Sequence, residues 1–197
     1  MIDFERASAF IHDKLRQGLP SNLYYHNIEH VMDVYRSVIR IGTDEKLDHE
    51  TMVALKTAAL MHDSGMLKTY RGHEEAACSL VRLWLPQFGY PDQSMDYICN
   101  MILTTQLPQS ATEIGEKILC DADLDYLGRD DFFMIAHRLR FEWNTMDLNV
   151  TTLKEWYELQ VQFLENHQFY TALNKRTREA GKQKNLNQVK ELLGVLH

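Results

Sequence analysis

The chain carries nine histidines, and several of them stand beside carboxylates on the apolar faces of helix-like segments. The stretches that matter are Tyr24-Tyr25-His26-Asn27-Ile28-Glu29-His30, Leu60-Met61-His62-Asp63-Ser64-Gly65, His73-Glu74-Glu75 and Cys120-Asp121-Ala122-Asp123-Leu124-Asp125. A single histidine on a helix is more often a packed or solvated residue than a ligand, and the dipeptide His-Asp is an equally weak signal. His12-Asp13 illustrates this, because it runs into Lys14-Leu15-Arg16 with nothing around it to complete a site. His62-Asp63 differs in ending an apolar run. An ionised Asp63 is there a partly buried charge with no cation beside it in sequence, and a divalent metal resolves that cost. With His30 and Asp123 the pair makes a set of two imidazoles and two carboxylates, suited to Mn, Mg, Fe, Ni, Co or Zn rather than to a thiolate-seeking metal.

The elements that must position these residues are helical. Only four prolines and nine glycines punctuate the chain, and the apolar spacing between them follows the helical period, which predicts an all-α domain. One helix is expected from Asn27, its N-cap, to Ile41, with His30, Val34 and Val38 in register. A second carries Met52, Leu55, Ala59 and His62 on one face and is expected to end near Gly65 in the left-handed conformation. A third holds His73, Ala77, Leu80 and Trp84 until Pro86. Ser110-Ala111-Thr112-Glu113 reads as a capping box opening a helix through Ile114, Ile118 and Asp121. Thr152-Leu153-Lys154-Glu155 reads as another, through Tyr157, Val161 and Leu164.

Composition removes several function classes. The 197 residues carry a net charge of −7, which repels a phosphate backbone and excludes a polynucleotide groove. The acidic start Met1-Ile2-Asp3-Phe4-Glu5-Arg6 is unlike a signal peptide, and no apolar run reaches the roughly 18 residues that span a bilayer. Cys78, Cys99 and Cys120 are widely spaced among apolar neighbours. A cytoplasmic protein with reduced thiols and no membrane partner is expected. Neither a dinucleotide-binding glycine motif, a Walker A loop nor a GxSxG elbow is present, so phosphate chemistry here has to use a metal. The stretch Lys175 to Lys190 sets six bases against Glu179 alone. It is either a solvated helical face or an anion-attracting flank.

His30, His62-Asp63 and Asp123 together resemble the ligand pattern of the HD-domain metal-dependent phosphohydrolases. Tyr25-His26-Asn27-Ile28-Glu29-His30 is similar to the YHNxxH signature of cyclic nucleotide phosphodiesterases, and Ala122-Asp123-Leu124 to the segment that supplies the last ligand. Cys120 to Gly128 resembles a stretch of small stand-alone bacterial HD proteins. The resemblance implies a single HD-domain helical bundle over 1–197, with its motif core at 24–128 and a C-terminal helical extension at 150–197. It selects Asp123 over Asp121 as ligand, gives metal ligation to His30, His62, Asp63 and Asp123, and makes His26 the proton donor. It implies hydrolysis of a phosphoester in a small phosphorylated substrate, a nucleotide or cyclic nucleotide, by water activated at the metal and oriented by Asp63 or Asp121. The pattern departs from HD-x-G-K at Met66, with Lys68 two residues on, and lacks the HD-x-x-H histidine. His73 is left as a substrate-phosphate contact, a ligand to a second metal, or a residue of the Ala77, Leu80, Trp84 face. The assembly state is left open, a homodimer included.

Three rivals compete with that reading. His26-Asn27-Ile28-Glu29-His30 also fits the HxxEH pattern of certain zinc peptidases, which needs both histidines on one continuous helix. Asn27 caps better than it continues a helix, and that reading leaves His62-Asp63 unused. An HD-type iron oxygenase needs further histidines where the chain has Thr104 and Thr105. A regulatory domain that binds a nucleotide without turnover is the third.

Overall fold

The structure, a computed structural model, describes residues 1–195. Among these, nine α-helices and three short 3-10 turns make up the regular structure and no strand occurs, as the helical spacing predicts. The chain divides into two compact units. The first comprises Met1–Pro20 and His26–Asp123, the second Ser21–Tyr25 and the chain from Leu124 onward.

The first unit contains α1 (Phe4–Gly18), α2 (Ile28–Asp44), α3 (His49–Met61), α4 (His73–Trp84), α5 (Asp92–Leu103) and α6 (Ile114–Asp123). Its central element is α3, which buries Ala54, Leu55 and every residue from Thr57 to Met61. Helices α1, α2, α5 and α6 pack against it, and a helix apolar on all sides is one covered on all sides. Helix α2 starts where the sequence places it: Asn27 Oδ1 accepts the His30 backbone N–H at 3.1 Å, and Val31, Val34, Val38 and Ile41 face inward. Asp3 caps α1 in the same way through Arg6 N–H.

Two local expectations are corrected. Gly65 does not end α3 in the left-handed conformation, which among the glycines is adopted by Gly72 and Gly89. Helix α3 stops at Met61, and Gly65 lies in the 3-10 turn Ser64–Leu67. A Cβ at Gly65 would collide with the backbone of His73 and Ala77, so glycine is needed for close approach to α4 rather than for its φ. The capping carboxylate of α6 is also not Glu113. Glu116 takes that part, accepting the backbone N–H groups of Thr112 and Glu113 at 2.8 and 3.0 Å. The box at Thr152 forms as expected, Thr152 and Glu155 each accepting the other's backbone N–H.

The second unit holds the 3-10 turn Asp125–Gly128, α7 (Phe132–Thr145), α8 (Leu153–Asn166) and α9 (Ala172–Val195). Trp156, Phe132, Phe169, Tyr126 and Leu164 dominate its core, and fully buried Glu142 accepts the Tyr25 backbone N–H at 2.8 Å. Helices α8 and α9 fall within 150–197, whose last two residues lie outside the described residues. The basic stretch is paired rather than bare. Arg178 meets Asp125 at 2.8 Å, Lys182 meets Glu179 at 3.0 Å, Lys184 meets Asp130 at 3.0 Å and Lys190 meets Glu165 at 2.7 Å. Three of those acids lie far away in sequence, which is why counting local charges found Glu179 alone. No helix among the described residues is long and apolar enough to cross a membrane, and the three cysteines are free thiols.

Candidate metal centre

Four chain segments of the first unit deliver the site. His30 stands on the first turn of α2, His62 and Asp63 follow the end of α3, His73 opens α4, and Asp123 closes α6. Helix ends suit this purpose, because the side chains leave the packed sides of the bundle yet sit on rigid backbone.

The polar atoms converge closely. His30 Nε2 lies 3.1 Å from Asp123 Oδ1, 3.4 Å from Asp63 Oδ2 and 3.3 Å from His62 Nε2. His62 Nε2 is 3.3 Å from Asp63 Oδ2 and 3.6 Å from Asp123 Oδ1. One ligand atom from each of His30, His62 and Asp123 falls within a 4.8 Å span. Bonds of about 2.0–2.2 Å from a first-row divalent ion to nitrogen and oxygen set neighbouring ligand atoms about 3.0–3.6 Å apart, the spacing found here. Asp63 Oδ2 is buried and has no hydrogen-bond partner. A carboxylate oxygen stranded in that way costs free energy that a cation between it and the imidazoles removes.

The ring orientations agree. His62 Nδ1–H donates to the Ala59 carbonyl at 2.8 Å, which turns the Nε2 lone pair toward the two carboxylates. His73 Nδ1–H donates to the Tyr70 carbonyl at 3.0 Å, and its Nε2 lies 3.4 Å from Asp63 Oδ1, the opposite oxygen of the carboxylate. Burial works against every charge in this group, yet each shift runs toward the charged form. Burial would raise the Asp63 carboxyl, but His62, His73 and His26 hold it well below the ordinary range. Burial would raise Asp123 too, and His30 and His62 hold it low. Burial would lower His62, while Asp63 and Asp123 push it well above its ordinary value. The site is therefore built for positive charge facing two carboxylates. Ligands must be deprotonated to hold a metal, so metal and proton would compete for that place.

The structure thus brings together His30, His62, Asp63 and Asp123, with His73 on the far side of Asp63. Asp121, fully buried in α6, is not among the clustered ligands. His26 lies ahead of the Asn27 cap and off α2, so it shares no helix with His30, contrary to the HxxEH pattern. Its ring centroid is 6.3 Å from that of His30 and 5.7 Å from that of His73. Lys68 is exposed on the turn after Leu67. His12-Asp13 sits on α1, with side chains 39% and 69% exposed, away from any cluster. The hydroxyls of Thr104 and Thr105 return to the carbonyls of Met101 and Ile102 at the end of α5. Tyr70 gave no signal in the sequence. Its part depends on a turn of Lys68 to Gly72 that brings its carbonyl to His73 and its hydroxyl to His26, and no spacing rule encodes that.

No protein-family model matches the chain, and no curated protein matches it in sequence. Among solved structures it is similar to a predicted HD superfamily hydrolase from an uncultured Thermotogales bacterium, at 21% identity and a TM-score of 0.63, over 96% of this chain and 92% of that one. It is also similar to Bacillus subtilis YpgQ, solved in complex with ADP, at 18% identity and a TM-score of 0.65, over 94% of this chain and 95% of that one. Likeness at this level across nearly the whole of each chain, together with nine helices and no strand among the described residues, shows that this chain has the fold of an HD-domain protein.

Proposed function

We propose that this protein is a metal-dependent phosphohydrolase acting on a small phosphorylated substrate, a nucleotide. The observation that carries the reading is Asp63 Oδ2, a buried carboxylate oxygen without a hydrogen-bond partner, set 3.3–3.4 Å from the Nε2 atoms of His62 and His30. His30, His62, Asp63 and Asp123 would hold a divalent ion. A bound ion supplies Lewis acidity toward a phosphoryl oxygen and makes a water acidic enough to attack at neutral pH.

The remaining work falls to this chain's own residues. Asp63, anchored through Oδ1 by His73, orients the attacking water with its other oxygen. Asp63 faces the imidazoles of His30, His62 and His73, which supports giving that role to it rather than to Asp121. His26 stands beside the ligand group without belonging to it, and delivers a proton to the leaving oxygen, so that the departing group need not carry a full negative charge. The His73 ring, anchoring Asp63 and 5.7 Å from the ring of His26, is the candidate contact for a phosphate oxygen. A nucleotide as substrate is supported by the ADP held by the similar B. subtilis protein.

The test is a panel of nucleoside phosphates, cyclic nucleotides and p-nitrophenyl phosphate against Mn, Mg, Zn, Fe, Co and Ni, read as phosphate or nucleoside release, with His26→Ala run alongside. Turnover by the wild type is expected to fall by roughly 10²–10⁴ in the variant, with metal content and melting temperature kept. The loss should shrink on p-nitrophenyl phosphate, whose leaving group needs no proton. Metal lost in parallel with activity would make His26 a ligand and overturn its assignment. Metal and nucleotide binding with no hydrolysis of any member would replace the enzyme reading with a regulatory one.

A further inference from the structure

Tyr70 touches two histidines of the site through two different groups. Its carbonyl fixes His73, as described above, and its hydroxyl lies 3.3 Å from His26 Nδ1. The two rings meet edge to face, with centroids 5.4 Å apart and planes at 86°. The segment bearing Tyr70 is itself held. Lys68 and Thr69 N–H both donate to the Gly65 carbonyl at 2.8 and 3.0 Å, the Thr69 hydroxyl donates to the Arg71 carbonyl at 3.0 Å, and Gly72 turns the chain into α4 with φ of 70°.

His26 precedes the first turn of α2, one residue ahead of the Asn27 cap. A proton donor needs both a defined direction and its proton on the nitrogen that faces the substrate. A histidine acts as an acid in its imidazolium form, with an N–H on each ring nitrogen. With Nδ1–H donated to the Tyr70 hydroxyl oxygen, Nε2–H is the proton left for transfer, and its loss to the leaving oxygen returns a neutral ring still held through Nδ1–H.

Building on the phosphohydrolase reading, we propose that Tyr70 is the positioning residue for His26, aiming its Nε2–H at the leaving oxygen. Tyr70→Phe removes the hydroxyl while retaining the ring packing and the carbonyl to His73. On a substrate with an alkoxide leaving group, kcat is expected to fall about tenfold, the effect of one lost hydrogen bond, with KM and metal affinity within twofold of wild type. On p-nitrophenyl phosphate kcat should be unchanged. In a His26→Ala background Tyr70→Phe should cost nothing more, since residues that act through one another are not additive. Nitrogen-15 spectra of the metal-free protein supply a readout independent of turnover. The His26 Nδ1 resonance should move toward that of imidazole in water, while the His62 ring nitrogens stay in place.

An equal loss of kcat on both leaving groups would overturn the proposal, because a merely structural role does not distinguish them. So would an additive loss in the His26→Ala background, or an unmoved Nδ1 resonance. If the wild type releases phosphate from no substrate, the proposal falls together with the reading beneath it. The nitrogen spectra tell that failure from a missing Tyr70–His26 bond.

Discussion

Replacing Asp63 by asparagine tests the metal centre at its most exposed assumption. The change keeps the shape of the side chain and removes the charge from a carboxylate only 4% exposed, whose oxygens face His30, His62 and His73 at 3.3–3.4 Å. Removing one partner from a buried charge pair typically costs about 3–5 kcal/mol, which corresponds to a loss of about 10²–10⁴ in affinity for a divalent ion. The consequence for stability follows by mass action. At an ion concentration 100 times the wild-type Kd, binding stabilises the fold by about 2.7 kcal/mol. In a chain of this size that raises Tm by about 5–11 °C. After a 10³-fold loss of affinity the same concentration contributes less than about 0.1 kcal/mol, and the metal-induced rise in Tm disappears. Competition against a fluorescent chelator gives the affinity directly, and melting with and without Mn or Zn gives the linked shift. His12→Ala serves as the control, because its exposed pair with Asp13 at 3.8 Å predicts no change in either measurement. A folded Asp63→Asn protein that keeps wild-type affinity and the full rise in Tm would refute the assignment.

Two further outcomes follow from packing and from pH. Gly65→Ala forces a Cβ into the His73 backbone. The metal-free protein should lose about 1–3 kcal/mol, read as a Tm lowered by roughly 2–12 °C; a Tm within 1 °C of wild type would show that the turn and α4 are not packed this tightly. His167 is a base whose two ring nitrogens lack hydrogen-bond partners, with the Phe169 ring centroid 4.6 Å away. Burial first, then the charge of Lys182, lowers its pKa to about 4. The unfolded chain therefore binds a proton between about pH 6.5 and 4 that the folded chain refuses, and stability is lost as pH falls through that window. The loss has a ceiling of about 3 kcal/mol. Urea midpoints measured at pH 7 and 4.5 should fall less in His167→Leu than in wild type, and identical falls would remove His167 as the source.

What the sequence determined by itself was local. Asn27 as the cap of α2, the Thr152–Glu155 box, the apolar α3 and the all-α class all rest on interactions within a few residues, where side-chain type and helical period act directly. The burial of His62 and Asp63 was equally legible, because a His-Asp pair ending an apolar run announces a buried charge whatever surrounds it. Local reading failed where two elements meet. Gly65 looked like a helix terminator, yet it answers to the backbone of α4. Glu113 had the spacing of a capping box, but Glu116 reaches the same N–H groups. The bases after Lys175 are unbalanced in their own stretch because their partners Asp125, Asp130 and Glu165 come from other segments. Tertiary structure alone decided that the imidazoles of His30 and His62 stand 3.1–3.6 Å from the carboxylates of Asp63 and Asp123, drawn from three helix ends, and that Tyr70 bridges His26 and His73. Helix packing sets those distances. It minimises the exposed apolar surface of the whole chain, so the meeting of polar atoms far apart in sequence is a product of the assembled core and leaves no mark in any one segment.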